Sequence, residues 1–244
     1  MTEKIQVYLA GSMFCEADRM YNAYLAEKIR QRLGDKIDLY VPQENLSIND
    51  KTKCADSHAI FWGDYNRLQK CDVFIARIDG DIPPSGTSAE VGIMSQRIVD
   101  AKFKLEDALR KWELANDDIY LDIRKEDVER ENPVPTIIGL CTDSRNPKRT
   151  YLEAKNELMR TQDYESQYCY FNLFTLGCIK VNGKLATTVD ELVDSVEEYV
   201  NKRINKVVVE KHSYQIYDHT SGTFKTHIQT LYSDGSHTME VVDE

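Results

Sequence analysis

The segment Asp72–Ile78, DVFIARI, constrains the fold more than any other stretch of this chain. It is a nearly unbroken apolar run only a few residues long, bounded by polar residues. Such a run suits a strand covered on both faces, as in a parallel sheet packed between helices. KIQVYLAGSMF reads as a second buried strand running into a loop, IDLYVP as a short strand, and PTIIGLCTD as a fourth buried one. Helical patterns alternate with them. RMYNAYLAEKIRQRLG places Tyr21, Leu25, Ile29 and Leu33 on one face, with Gly34 as a stop. A segment from about Cys54 to Lys70 carries Ala59, Trp62 and Leu68 at helical spacing, a helix opens near Ser88, and YLEAKNELMR and TTVDELVDSVEEYVNKRI are helical. Strands alternating with helices predict an α/β fold: a three-layer sandwich of the Rossmann or flavodoxin kind around a central parallel sheet.

Two segments depart from that alternation. Residues 96–132 are long, charged and periodic, and read as a helical insertion in which Phe103, Ala108 and Trp112 mark a partly buried stripe. The insertion reads first as a solvated arm, with a lid over a pocket or an oligomer contact as the alternatives. After about residue 205, KVVVEKHSYQIYD, GTFKTHIQTLYSD and HTMEVVD alternate like antiparallel strands, with turn signals at HTSG and SDGS. The expected organisation is an α/β domain over 1–204 and a β extension over 205–244.

Composition narrows the function classes. The 244 residues have a formal net charge of −10, which disfavours nucleic-acid backbones and anionic membranes as partners. No apolar stretch approaches the length needed to span a bilayer, and the start of the chain does not read as a secretory signal. A cytosolic location is the expectation. The six cysteines form no Cys-x-x-Cys pair and there is no His-x-x-x-His, so neither a metal nor another cofactor is expected.

The stretch PPSGTSAEVG raises a specific question about Glu90. Thr87-x-x-Glu90 matches a capping box, in which the glutamate only satisfies a backbone N–H. Yet the stretch follows DVFIARIDG at the carboxyl edge of the expected sheet, where ligands of α/β proteins bind. YVPQEN, CTDSR and YLAGSMF bring polar or glycine-containing loops to the same edge. A carboxylate in the first helical turn is favoured as the anion by the helix dipole, which suits a nucleophile. Asp64, in FWGDYNRLQKCD, is either a solvent-facing helical residue or the acid partner of Glu90.

These motifs together resemble the nucleoside 2-deoxyribosyltransferases. The resemblance rests on VYLAGSMF, LYVPQENLSINDK, the aspartate eight residues before DVFIA, SGTSAEVG and YFNLFTLGCIKVNG, and covers roughly residues 4–95 and 136–200. It implies Glu90 as nucleophile, Tyr8 as the tyrosine that orients it, and Asp64 as the residue assisting the leaving base. It implies substrate binding by Asn172, supplied by a neighbouring subunit of a homo-oligomer, and by Gly11, Gln43, Glu44, Ser85 and Gly86. The implied reaction is transfer of 2-deoxyribose between a deoxynucleoside and a free nucleobase, in nucleoside salvage. Many relatives carry an aspartate six residues before the nucleophile. Here that position is Pro84, with Asp79, Asp81 or Ser85 as substitutes. Two other readings stand beside this one. One is an N-glycoside hydrolase of deoxynucleosides or their monophosphates, with Ser12, Ser85 and Ser88 near a phosphate. The other is an inactive nucleotide-binding module.

Overall fold

A computed structural model describes residues 4–46, 56–80, 84–116, 125–143, 172–204, 208–218, 223–232 and 237–242. It bears out the predicted class. Five parallel strands, β1 (Ile5–Ala10), β2 (Ile37–Tyr40), β3 (Val73–Arg77), β4 (Thr136–Leu140) and β5 (Gly183–Ala186), form one sheet in the order β2-β1-β3-β4-β5. This doubly wound order puts the topological switch point between β1 and β3, the place where such sheets bind ligands. The described helices are α1 (Glu16–Leu33), α2 (Ser57–Leu68), α3 (Ser85–Asn116), α4 (Lys125–Glu131), α5 (Leu173–Asn182) and α6 (Val189–Ile204).

The central strands explain their own composition. Every residue of β3 is buried, because both faces of this middle strand are covered. Successive side chains alternate between the faces. Tyr8 and Ala10 of β1, with Phe74 and Ala76 of β3, join Leu68 of α2, Val91, Met94 and Ile98 of α3, and Ile179 of α5 in one core cluster. Val7, Leu9, Val73 and Ile75 point the other way, where α1 offers buried Leu25, Ala26 and Ile29, and α6 offers Leu192, Val196 and Val200. Arg32 of α1 bonds both Asp194 and Glu197 of α6, so these two helices lie side by side. Helix α1 ends as read from the sequence, on Gly34 at φ 52°, a conformation that costs glycine little. No helix among the described residues is long and apolar enough to cross a membrane.

The chain divides into two compact units, residues 1–104 with 134–200, and residues 105–133 with 201–244. The first contains the parallel sheet. The second contains α4 and an antiparallel meander, β6 (Val208–Asp218), β7 (Thr223–Tyr232) and β8 (His237–Val242), in the order β6-β7-β8. The three tail segments that alternate in sequence are thus strands. HTSG, SDGS and YLEAKNELMR lie outside the described residues.

Four expectations need correction. Helix α3 starts at Ser85, and the Ser88 N–H bonds the Pro84 carbonyl 2.9 Å away. Thr87 is therefore a buried residue inside the helix, and Glu90 sits in its second turn, so no capping box forms. The same helix runs unbroken to Asn116, so residues 96–116 continue it and do not open a separate insertion. Of the three apolar residues read at helical spacing on α2, Leu68 alone is buried. Trp62 is 54% exposed and Ala59 is exposed, because this helix meets the core through its last turn at Leu68. Phe103, placed in a buried stripe, is also exposed.

Strand β5, Gly183–Ala186, is absent from the sequence reading. Its first residue shows how tightly it docks: a Cβ on Gly183 would lie 1.7 Å from the Ile137 carbonyl oxygen. Gly183→Ala must push β5 off β4, and is expected to lower the unfolding free energy by about 2 kcal/mol or more in urea titrations. Gly177→Ala in α5, where a Cβ meets nothing within 4 Å, is expected to leave stability unchanged or raise it by up to ~1 kcal/mol.

Candidate active site

At the carboxyl ends of β1 and β2, four elements bring four ionisable groups together. Tyr8, next to last but one in β1, is 1% exposed, and its hydroxyl donates to Glu90 Oε1 at 2.6 Å. Glu90 reaches it from α3. Asp64 reaches the same place from α2, where its Oδ1 accepts from the Tyr40 hydroxyl at 2.9 Å. Tyr40 closes β2, and its ring lies 5.1 Å from that of Tyr8. Asn45, just beyond β2, donates its side-chain N–H to the Tyr40 oxygen at 2.9 Å. The register explains the meeting: Tyr8 pairs with Tyr40 on one side and Phe74 on the other, so all three rings project from the same row of the sheet.

Burial sets the electrostatics of this group. Glu90 is pushed up from 4.5 to about 7, mainly by desolvation and further by the Asp64 charge, against the lowering effect of the Tyr8 bond. The sequence argument expected the helix dipole to hold this carboxylate ionised; removal from water wins instead, because Glu90 stands one turn inside the helix, past the reach of its end. Asp64 is also raised by burial, opposed by the hydrogen bond from Tyr40 and by the nearby Tyr8 hydroxyl. The Tyr8 phenol is driven far up by burial and by the two carboxylates, so it keeps its proton. Tyr40 is raised to about 12, chiefly by burial. The site therefore holds two carboxyl groups whose charged forms are both disfavoured by burial.

The remaining sequence candidates fall in several places. Gly11 follows β1, and a Cβ there would stand 2.9 Å from Arg77 Nε and 3.3 Å from Asn22 Oδ1. Its bareness lets buried Arg77 clamp the loop after β1, through the Ser12 carbonyl at 2.6 Å and Asp18 at 2.7 Å. Ser12 donates to Asp18 as well. Gln43 is tied between Asn22 and the Arg19 carbonyl, and Glu44 forms a two-pronged ion pair with Arg30. Neither bonds the Tyr8–Glu90 group. Ser85 and Gly86 are the exposed first residues of α3. The Asn172 carboxamide oxygen caps α5 by accepting from Phe174 and Thr175. Of the substitutes for Pro84, Asp79 accepts from both the N–H and the hydroxyl of Thr142, and its Oδ2 is buried with no hydrogen-bond partner among the described residues. Asp81 lies outside them. Sequence reasoning missed Tyr40 and Asn45. The only signal was their place as the first and last residues of YVPQEN, at a strand end.

The Glu90 shift has a linkage consequence. A carboxyl raised in the folded state stabilises the fold when protonated, below about 4.5, and that contribution is lost as pH rises through about 7. Glu90→Gln keeps an acceptor for Tyr8 and removes the buried charge. At pH 8 the variant is expected to be more stable than wild type by about 2 kcal/mol, and the gain should vanish below pH 4.5. Urea unfolding at the two pH values checks this.

Comparison with known proteins fits this geometry. Residues 7–98 match the family model for nucleoside 2-deoxyribosyltransferase, a span that includes Tyr8, Asp64 and Glu90. The chain is also similar to a conserved protein from Enterococcus faecalis V583 of known crystal structure, at 29% identity and a TM-score of 0.53, over 80% of this chain and 99% of that one. No curated protein matches. The likeness to the nucleoside 2-deoxyribosyltransferase family thus lies in residues 7–98, the segment that holds Tyr8, Asp64 and Glu90.

Proposed function

We propose that the chain transfers 2-deoxyribose from a deoxynucleoside to a free nucleobase through a covalent deoxyribosyl ester on Glu90. One observation carries this reading most directly: the Tyr8 hydroxyl, 2.6 Å from Glu90 Oε1, leaves Oε2 as the attacking oxygen. Glu90 Oε2 forms a bond to C1′ as the bond from C1′ to the base nitrogen breaks. The electron pair of the broken bond stays with the base, which takes a proton from Asp64. A second base then attacks C1′, the ester bond breaks, and Asp64 recovers its proton. One difficult displacement becomes two easier ones, with net retention at C1′.

The electrostatics favour that course. A buried carboxylate raised to about 7 is a destabilised anion. Positive charge developing on the sugar relieves it, so the attraction is stronger in the transition state than in the ground state. Burial also helps Asp64 retain the proton it must deliver. Asp79 stands in for the aspartate that relatives carry at the position of Pro84, offering a sugar hydroxyl its Oδ2, which has no hydrogen-bond partner among the described residues. Asn172 of a neighbouring copy binds the sugar through its carboxamide nitrogen, its oxygen being engaged in the cap of α5. A role in nucleoside salvage follows from this chemistry.

The test is chromatography of 2′-deoxyinosine with excess adenine, with Glu90→Gln in parallel. New 2′-deoxyadenosine is expected from wild type, with a loss on the order of a thousandfold or more in the variant. The wild-type kcat/KM should rise with pH through about 7 as Glu90 ionises. Hypoxanthine released without 2′-deoxyadenosine would reassign the chain to the hydrolases. Turnover unaffected by Glu90→Gln would remove the nucleophile assignment.

A further inference from the structure

We propose that Tyr40 is a positioning residue that works through Asp64: with its hydroxyl aimed by Asn45, it occupies Oδ1 and thereby confines the transferable proton to Oδ2. The proposal rests on the reading of Asp64 as the acid of the transfer, and gives that acid a definite working oxygen.

A phenol has one hydrogen to give and lone pairs to receive. The Asn45 side-chain nitrogen can only donate, and it does so to the Tyr40 oxygen at 2.9 Å. That uses an acceptor site on Tyr40 and leaves its hydrogen for Asp64 Oδ1, also at 2.9 Å. The ring is held from two sides. Tyr8 packs at 5.1 Å, and the Arg67 guanidinium lies 5.0 Å over the ring. Arg67 is one helical turn beyond Asp64 and is steadied by Asp38 at 3.5 Å. The hydroxyl is thus fixed in direction and in reach.

Two consequences follow for Asp64. In a protonated carboxyl the carbonyl oxygen is a better acceptor than the hydroxyl oxygen, so the hydrogen that Tyr40 donates to Oδ1 favours the carbonyl form there. The proton therefore sits on Oδ2, and no carboxyl rotation is needed before transfer. Once the proton has gone, the Tyr40 hydrogen remains on Oδ1 and favours the anion. The phenol stays protonated throughout, since burial raises it to about 12. The ionisable groups facing Asp64 are Tyr8 from β1, Tyr40 from β2 and Glu90 from α3, with Arg67 on its own helix acting through the Tyr40 ring. Tyr8 gives its one hydrogen to Glu90, whereas Tyr40 gives its hydrogen to Asp64 and takes one from Asn45.

The test reads Asp64 itself, in the full chain labelled with 13C at aspartate side-chain carboxyls. The Asp64 signal is assigned by its loss in Asp64→Asn. Tyr40→Phe removes a donor to the anion, so the Asp64 titration midpoint should move up by about one pH unit. Asn45→Ala leaves Tyr40 in place but undirected, and should move it up by less. The high-pH limb of the transfer rate should move in step with each. A Tyr40→Phe titration that superimposes on wild type overturns the proposal. Should Tyr40→Phe not fold, Asn45→Ala decides: an upward shift supports Tyr40, and no shift overturns it. Absence of transfer by wild type would remove the proposed reaction, while the carboxyl titration would still decide the role of Tyr40.

Discussion

The hydrogen bond from Tyr8 to Glu90 is the interaction on which the site depends. It joins the second strand-centre of the sheet to the second turn of α3, two elements separated by more than half of the family-matched segment. Its donor is nearly inaccessible and packed between Tyr40 and Phe74. A buried hydroxyl without a partner would cost about 1–3 kcal/mol, and a buried carboxylate without one would cost more. Each group thus makes the other tolerable. Neither Tyr8 nor Glu90 can be replaced alone by an apolar residue without leaving a polar orphan.

That mutual dependence also fixes the chemistry. Two carboxyl groups stand near two phenols, and the ion pairs that would ordinarily hold acids in their charged state are spent elsewhere: Arg77 on Asp18, Arg30 on Glu44. Desolvation therefore dominates both shifts. Asp18 makes the contrast, drawn down to about 2 by hydrogen bonds from Cys15, Arg77 and Ser12. Within one sheet edge the chain keeps one acid firmly ionised as a structural clamp and leaves two others poised to exchange protons.

The fold was largely legible because its signals are local. DVFIARI declares a strand buried on both faces, and Leu25, Ile29 and Leu33 declare the inner side of α1. Glu90, Asp64 and Tyr8 were legible through motif spacing. What escaped depends on distant partners. Tyr40 acquires its meaning from Asp64, 24 positions away on another element, and from a ring-to-ring contact across the sheet. Strand β5 is four residues long and begins with a glycine that, in sequence, signals a turn; only the approach of Ile137 shows why glycine is there. The capping box failed because Thr87 and Glu90 satisfy the motif equally well inside a helix that starts two residues earlier.

The raised Glu90 carboxyl has a further consequence in proton stoichiometry. At pH 7 a group with a midpoint of about 7 carries about half a proton on average. A ligand with a fixed positive charge at the sugar position would favour the anion and expel that fraction into the buffer, whereas a neutral ligand would not. Heats of binding measured in buffers of different ionisation enthalpy would then diverge for the cation and coincide for the neutral compound. Glu90, in calorimetric terms, is a proton store that opens to charge.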